Sequence, residues 1–232
     1  LKARSPHKVF VIDAIAERLT LDQLVRRVMS LDPDVVGISA WTDFWYPAYQ
    51  SGKLIKESLP RVHIVYGGPH VSIFPGETLN APFVDSVIAG DGEMPFFYLC
   101  NMLSNGRFEG GFPGLRIKSE GDRLEPIGHY VQANLDDLPA IDRTLLPINN
   151  YSSVVGRQGT VTTMITSRGC PHHCTFCKMD FQKNVAMSSS AVVDEFRRIR
   201  DLGISEVEVY DDTFTLGKHR LKEICQGLIE ER

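Results

Sequence analysis

Short apolar runs alternate with helix-patterned segments along most of this chain, and that alternation restricts it to an α/β fold with a largely parallel sheet. KVFVIDA, which contains Asp13, reads as a first strand. Thr20 to Leu31 reads as a helix, because Thr20 and Gln23 make a capping box while Leu21, Leu24, Val25, Val28 and Leu31 repeat at helical spacing. DVVGISA reads as a second buried strand, Pro47 to Leu59 as a second helix and HIVYGG as a third strand ending in glycines. VDSVIAGDGE then reads as a fourth strand running into a helix from Glu93 to about Leu103. The outline is a Rossmann-like, doubly wound sheet over residues 1–108.

In such sheets function sits at the carboxyl ends of the strands. Three ends are informative here: Ser39-Ala40-Trp41, Gly67-Gly68-Pro69-His70 and Gly90-Asp91-Gly92-Glu93. Glycines at these points let backbone approach a bulky ligand closely, although each alone also reads as a tight turn or a helix start.

Residues 109–150 change character. GLRIKSEGDRLEPIG reads as a short hairpin turning at Ser119-Glu120-Gly121-Asp122, and Val131 to Asn150 as a Leu-, Asp- and Pro-rich connector. A second domain over 151–232 starts with the strand TVTTMITS, followed by a helix from Ser188 to Leu202, the strand EVEVYDD and a helix from Lys218 to Glu231. The first of these strands delivers SRGCPHHCTFCKMD, in which Cys170, Cys174 and Cys177 form a CxxxCxxC loop at the end where β/α barrels carry their chemistry.

A fully thiolate-bound 4Fe-4S cluster uses four cysteines, so three in one loop suggest a cluster with one open iron. Two other readings remain. A zinc site could add His172, His173 or His129 to the three cysteines, and Cys174 with Cys177 could be a redox dithiol. The two other cysteines, Cys100 and Cys225, fall in apolar helical patterns and read as packing residues.

With 25 basic and 29 acidic residues the net charge is -4, so no basic field points to nucleic acid. Nothing in the 232 residues approaches a membrane-spanning apolar run, and LKARSPHKVF lacks the apolar core of a signal peptide. With an odd number of cysteines, three of them crowded into one loop, the expected location is the cytoplasm.

The cysteine loop resembles that of the radical S-adenosylmethionine (SAM) superfamily, whose CxxxCxΦC signature has an aromatic where Phe176 stands. That resemblance implies a 4Fe-4S cluster on Cys170, Cys174 and Cys177. It also implies SAM chelated to the open iron, and one-electron cleavage to a 5'-deoxyadenosyl radical. The three strand ends together resemble the cobalamin-binding domain that is fused to radical SAM barrels in a large enzyme family. There a serine after one strand and a glycine pair after the next line the slot for the cobalamin tail, and Ser39 and Gly67-Gly68 match in order. IVYGGPHVSIFPGETL, VDSVIAGDGEMPFFYL and LDDLPAIDRTLLP are similar to segments of the same fused subgroup. The implied cofactor-binding residues are Ser39, Trp41, Gly67, Gly68, Gly90, Glu93, Phe176, Asp211 and Asp212.

Asp211 and Asp212 stand in the run YDDTF, where many radical SAM enzymes carry a GGE motif that holds the SAM amino group. Carboxylates there keep an acceptor for that ammonium, and a strand-helix cap is the other reading of either residue. Arg168, just before the loop, could bias the cluster or pair with a surface acid. The rings of Trp41, Phe44, Trp45, Tyr46 and Tyr49 could face a corrin or pack at an interface, Trp41 being the one assigned to the corrin. No DxHxxG run supplies a cobalt ligand, and His70 lies in the wrong loop to replace it.

Against the family pattern the upstream strand and most of the barrel are missing, so the expectation is a chain truncated at both ends that holds the first two β/α units of the barrel. The implied activity is methylation of an unactivated carbon on a small-molecule or peptide substrate, with an external flavodoxin- or ferredoxin-type reductant. Radical cyclisation or rearrangement is the alternative within the family. A cobalamin-binding sensor with a zinc loop, or a stand-alone electron-transfer protein, lies outside it.

Overall fold

The computed structural model describes residues 1–106, 111–118, 128–154, 156, 159–177 and 183–231. The chain forms two compact units, one of residues 1–9 and 18–131 and one of residues 10–17 and 132–232.

In the first unit α1 (Leu21–Leu31) begins at the expected capping box: the Gln23 N–H donates to Thr20 Oγ1 at 3.3 Å, and the Thr20 N–H donates to Gln23 Oε1 at 2.8 Å. Strand β1 (Val35–Ser39) leads to α2 (Trp45–Ser58), and β2 (His63–Gly67) to the short helices α3 (Pro69–Ile73) and α4 (Pro75–Asn80). Strand β3 (Ser86–Ile88), α5 (Glu93–Asn105) and β4 (Leu115–Ile117) complete the unit. The sheet order is β1-β2-β3-β4, with β1, β2 and β3 parallel and β4 antiparallel at the edge. The expected turn at residues 119–122 lies outside the described residues.

Because successive strand residues point to opposite faces, β2 is buried on both. Val65 packs with Ile88 against Leu99 and Met102 of α5, whereas the hydroxyl of Tyr66 donates to the Ala48 carbonyl of α2 at 2.6 Å.

KVFVIDA is a correction, since residues 8–13 form no strand. A strand exists only beside a neighbour that takes its backbone donors and acceptors, and this run pairs with none of the described strands. Phe10 and Val11 are exposed, while Asp13 caps the following turn through the Ala16 N–H and accepts from the Tyr151 hydroxyl at 2.9 Å.

In the second unit β5 (Val161–Met164) continues into β6 (Ser167–Arg168), which pairs antiparallel with β7 (Val185–Ala186). Helix α6 (Ser189–Asp201) returns to β8 (Glu206–Val209), parallel to β5, and α7 (Lys218–Glu230) follows. Ser188 caps α6 by accepting from the Ala191 N–H. Met164, Val192, Ile199, Ile204 and Ile224 form the core, joined by Val207, Phe214 and Leu228. Beside it the Arg143 guanidinium donates to Glu195 and, at 3.3 Å, to Thr162 Oγ1, with both charged side chains nearly fully buried. Removing one partner of such a pair costs about 3–5 kcal/mol, because the other charge is stranded.

Candidate functional site

In the first unit the loops leaving β1, β2 and β3 are tied to one another. The Ala40 N–H donates to the Gly67 carbonyl at 2.9 Å, and the His70 N–H to the Ala40 carbonyl at 3.0 Å. Ser72 Oγ donates to the Gly68 carbonyl at 3.2 Å and accepts from the Gly90 N–H at 3.0 Å. Ser39, Gly67, Gly68 and Gly90 therefore lie along one rim. Ser72 is not among the residues that the family pattern points to, although its place in the β2 loop, four residues after Gly68, is a usable signal.

The two adjacent glycines differ. Gly68 has φ 94° and ψ -178°, a region open essentially to glycine alone, and a Cβ there would sit 2.9 Å from both the Ala40 carbonyl and Ser39 Oγ. A Cβ on Gly67 would meet nothing closer than the Ile88 carbonyl at 3.7 Å, an ordinary contact. The fold requires Gly68, whereas Gly67 leaves space. Gly90, at φ 89°, bridges to Tyr130, and any Cβ would overlap the Tyr130 backbone. Glu93 is the exposed first residue of α5.

The aromatic cluster divides. Trp45 stacks on His70 with centroids 4.1 Å apart, and meets Tyr66 and Tyr49 in T-shaped contacts. Trp41, Phe44 and Tyr46 stay in solvent, Trp41 at 61% exposure. His70 is buried: Nδ1 pairs with Thr42 Oγ1 at 3.3 Å, and Nε2 has no partner among the described residues. Burial holds its pKa below the ordinary value, with Glu77 opposing.

In the second unit the cysteine loop is an excursion between β6 and β7. Its base is held by side chains from elsewhere. Asp211 accepts from the Thr166 and Ser167 N–H groups on Oδ1, at 2.5 and 3.0 Å, and from their hydroxyls on Oδ2, at 2.6 and 2.8 Å. Asp212 Oδ2 accepts from the Gly169 N–H at 2.8 Å, and the Asn184 amide donates to the Gly169 carbonyl at 2.8 Å. Cys170 is half-buried with Sγ 3.4 Å from Thr213 Oγ1. Cys174 and Cys177 are exposed on a turn closed by the Cys177 N–H to the Cys174 carbonyl at 2.9 Å, and Phe176 is 90% exposed.

Among the described residues no three His, Cys, Asp or Glu side chains converge as placed. The donor set nevertheless fits an iron-sulfur cluster with three protein ligands: three thiols share one loop with a fixed base, and two of them already face solvent. His172 and His173 are exposed in the same loop, while His129 Nε2 donates to the Ser72 carbonyl at 2.8 Å. Cys100 is buried, which pushes its thiol up to about 11. Cys225 is a correction to the packing expectation, because it is exposed on α7. Among the described residues no helix is long and apolar enough to cross a membrane.

Residues 1–99 match the family described as B12 binding domain. Over 98% of its length the chain is 38% identical to an uncharacterized methyltransferase, PH0819, of Pyrococcus horikoshii, of which it covers 50%. It is 26% identical over 99% of its length to the anaerobic magnesium-protoporphyrin IX monomethyl ester cyclase of Rubrivivax gelatinosus, covering 42% of that protein. The fold matches the radical S-adenosylmethionine methyltransferase TsrM from Kitasatospora setae, solved with cobalamin and a [4Fe-4S] cluster bound. The TM-score is 0.74 at 19% identity, over 98% of this chain and 46% of that one. The chain thus spans about half the length of the curated relatives it matches.

Proposed function

We propose that this chain belongs to the radical SAM enzymes that carry a B12 binding domain, and that its protein cleaves S-adenosylmethionine reductively at a 4Fe-4S cluster and methylates an unactivated carbon. The observation that carries the reading is the cysteine loop itself: three thiols on a single excursion at the carboxyl end of β5, its base held by Asp211, Asp212 and Asn184.

Cys170, Cys174 and Cys177 would hold the cluster, and Phe176 and the exposed Asp212 would meet SAM. Asp212 offers a carboxylate to an ammonium, a charge-assisted pairing that strengthens as water is excluded. In the first unit Ser39, Trp41 and Gly67 would line the cobalamin slot, with Gly68 and Gly90 shaping its wall and Glu93 at its edge. When bound, the cluster supplies one electron to SAM and cobalamin supplies the methyl group. The substrate is a small molecule or peptide, the electron donor is a flavodoxin- or ferredoxin-type protein, and the setting is the cytoplasm.

Similarity to the Rubrivivax cyclase favours a second reading, radical cyclisation without methyl transfer. Anaerobic reconstitution followed by iron and sulfide assay and incubation with SAM tests both. The methyltransferase yields 5'-deoxyadenosine together with S-adenosylhomocysteine, and a cyclase yields the first without the second. Stoichiometric zinc with no sulfide overturns both.

A further inference from the structure

We infer that Asp211 and Asp212, adjacent in sequence, do separate work: Asp211 is a positioning residue that locks the base of the cysteine loop, and Asp212 alone is left to face a bound ligand. The inference rests on the reading of Cys170, Cys174 and Cys177 as cluster ligands.

A carboxylate offers about four lone-pair sites. Asp211 has all of them taken, by two backbone N–H groups and two hydroxyls at 2.5–3.0 Å, and those donors are on residues that are themselves buried, Thr166 completely. A ligand ammonium would have to displace one of these bonds and strand a buried donor. The carbonyl side of Thr166 is held as well. It accepts from Arg220 Nη2 at 3.0 Å and from the Met187 N–H at 2.9 Å, while Arg220 Nε donates to the Met187 carbonyl at 2.8 Å. One carboxylate and one guanidinium therefore fix the two chain segments that enter and leave the loop. Asp212 engages a single oxygen and is otherwise exposed.

The division of donors supplies the test. Oδ1 takes both N–H groups and Oδ2 both hydroxyls, so asparagine can keep the backbone half of the frame: its carbonyl accepts the two N–H groups, while its NH2 donates to the hydroxyl oxygens in two reversed bonds that release the O–H hydrogens. Asp211→Asn thus removes the charge without removing the clamp, and Asp211→Ala removes both. Amide exchange at Thr166 and Ser167 in iron-free protein, and iron retention and SAM affinity in the anaerobically reconstituted protein, are measured for each. Asp211→Asn stays within about threefold of the parent in all three, whereas Asp211→Ala exchanges at least about tenfold faster at those amides and retains less than half the iron. Loss of SAM affinity by about tenfold in Asp211→Asn with iron intact overturns the inference, because the charge then serves the ligand. Parental exchange in Asp211→Ala overturns it equally. Should Asp211→Ala fail to fold, Ser167→Ala, which removes one hydroxyl bond, takes its place with a smaller rise in exchange. If the parent holds no iron, the cluster reading falls while the exchange measurement still decides the clamp.

Discussion

In the rim of the first unit the loops after β1 and β2 are joined backbone to backbone, Ala40 to Gly67 and His70 to Ala40, with Ser72 Oγ linking Gly68 to Gly90, whereas the loop after β5 in the second unit hangs on the side chains of Asp211, Asp212 and Arg220. Both lie at carboxyl ends of parallel strands. A rim made of backbone tolerates no added Cβ at its tightest points but leaves open space between them, which suits a ligand that lies along the chain. A loop held at its base by side chains leaves its own backbone and thiols unencumbered, which suits a group that the thiols themselves must grasp.

The contrast breaks most severely at the thiols. Replacing Cys170, Cys174 and Cys177 together by Ala should abolish iron binding, a loss of roughly four iron and four sulfide per chain, with the fold of the first unit retained. Metal analysis and the visible absorption band report it, and an unchanged iron content would place the cluster elsewhere.

The glycine pair comes next. Gly68→Ala should destabilise the protein by about 1–3 kcal/mol, because it forces an alanine into a glycine-only conformation against the Ala40 carbonyl. Gly67→Leu should leave the urea midpoint near that of the parent and reduce cobalamin retention instead. If both variants merely unfold, the slot reading of Gly67 fails.

Asp212→Ala should weaken SAM binding about tenfold in the cluster-bearing protein while iron stays bound, since one charge-assisted hydrogen bond is lost. Equilibrium binding with an uncleavable SAM analogue measures it, and parental affinity would make Asp212 only a strand-end cap.

The smallest effect concerns pH. Burial lowers the pKa of His63, whose Nε2 pairs with Ser86 Oγ at 2.8 Å. The unfolded chain therefore takes up that proton first, so folding stability is full above the ordinary value of 6.5 and declines as pH falls through it toward the lowered folded-state value. The urea midpoint should drop between about pH 7.5 and pH 5.5, and drop less in His63→Gln. An equal slope in the two proteins would remove His63 from the account.

Local signals were the ones legible in the sequence. The Thr20–Gln23 capping box and the cysteine spacing each depend on residues within a few positions of one another, and the alternation of apolar runs carries the α/β architecture. KVFVIDA misled because strand formation depends on a neighbour that no local pattern reveals. The five aromatics after β1 could not be sorted by type: Trp45 and Tyr49 turn inward against His70 and Phe83, while Trp41, Phe44 and Tyr46 do not. The same holds for Asp211, whose partners Thr166 and Ser167 lie more than forty positions away. The adjacent glycines look alike in sequence, because composition cannot distinguish a residue that the backbone demands from one that leaves room.

The short ladder of β6 with β7 bears on how fast and how tightly a multidentate site can form. Joining the ends of a flexible segment carries an entropic cost that rises with about (3/2)RT ln n. Here Ser167 pairs with Ala186 and Arg168 with Val185, so the excursion that carries the thiols is already closed in the folded protein. The second and third thiolates then reach a metal as an intramolecular step, at the effective concentration of a short tether, in the millimolar range. Capture by the first thiolate should commit the other two.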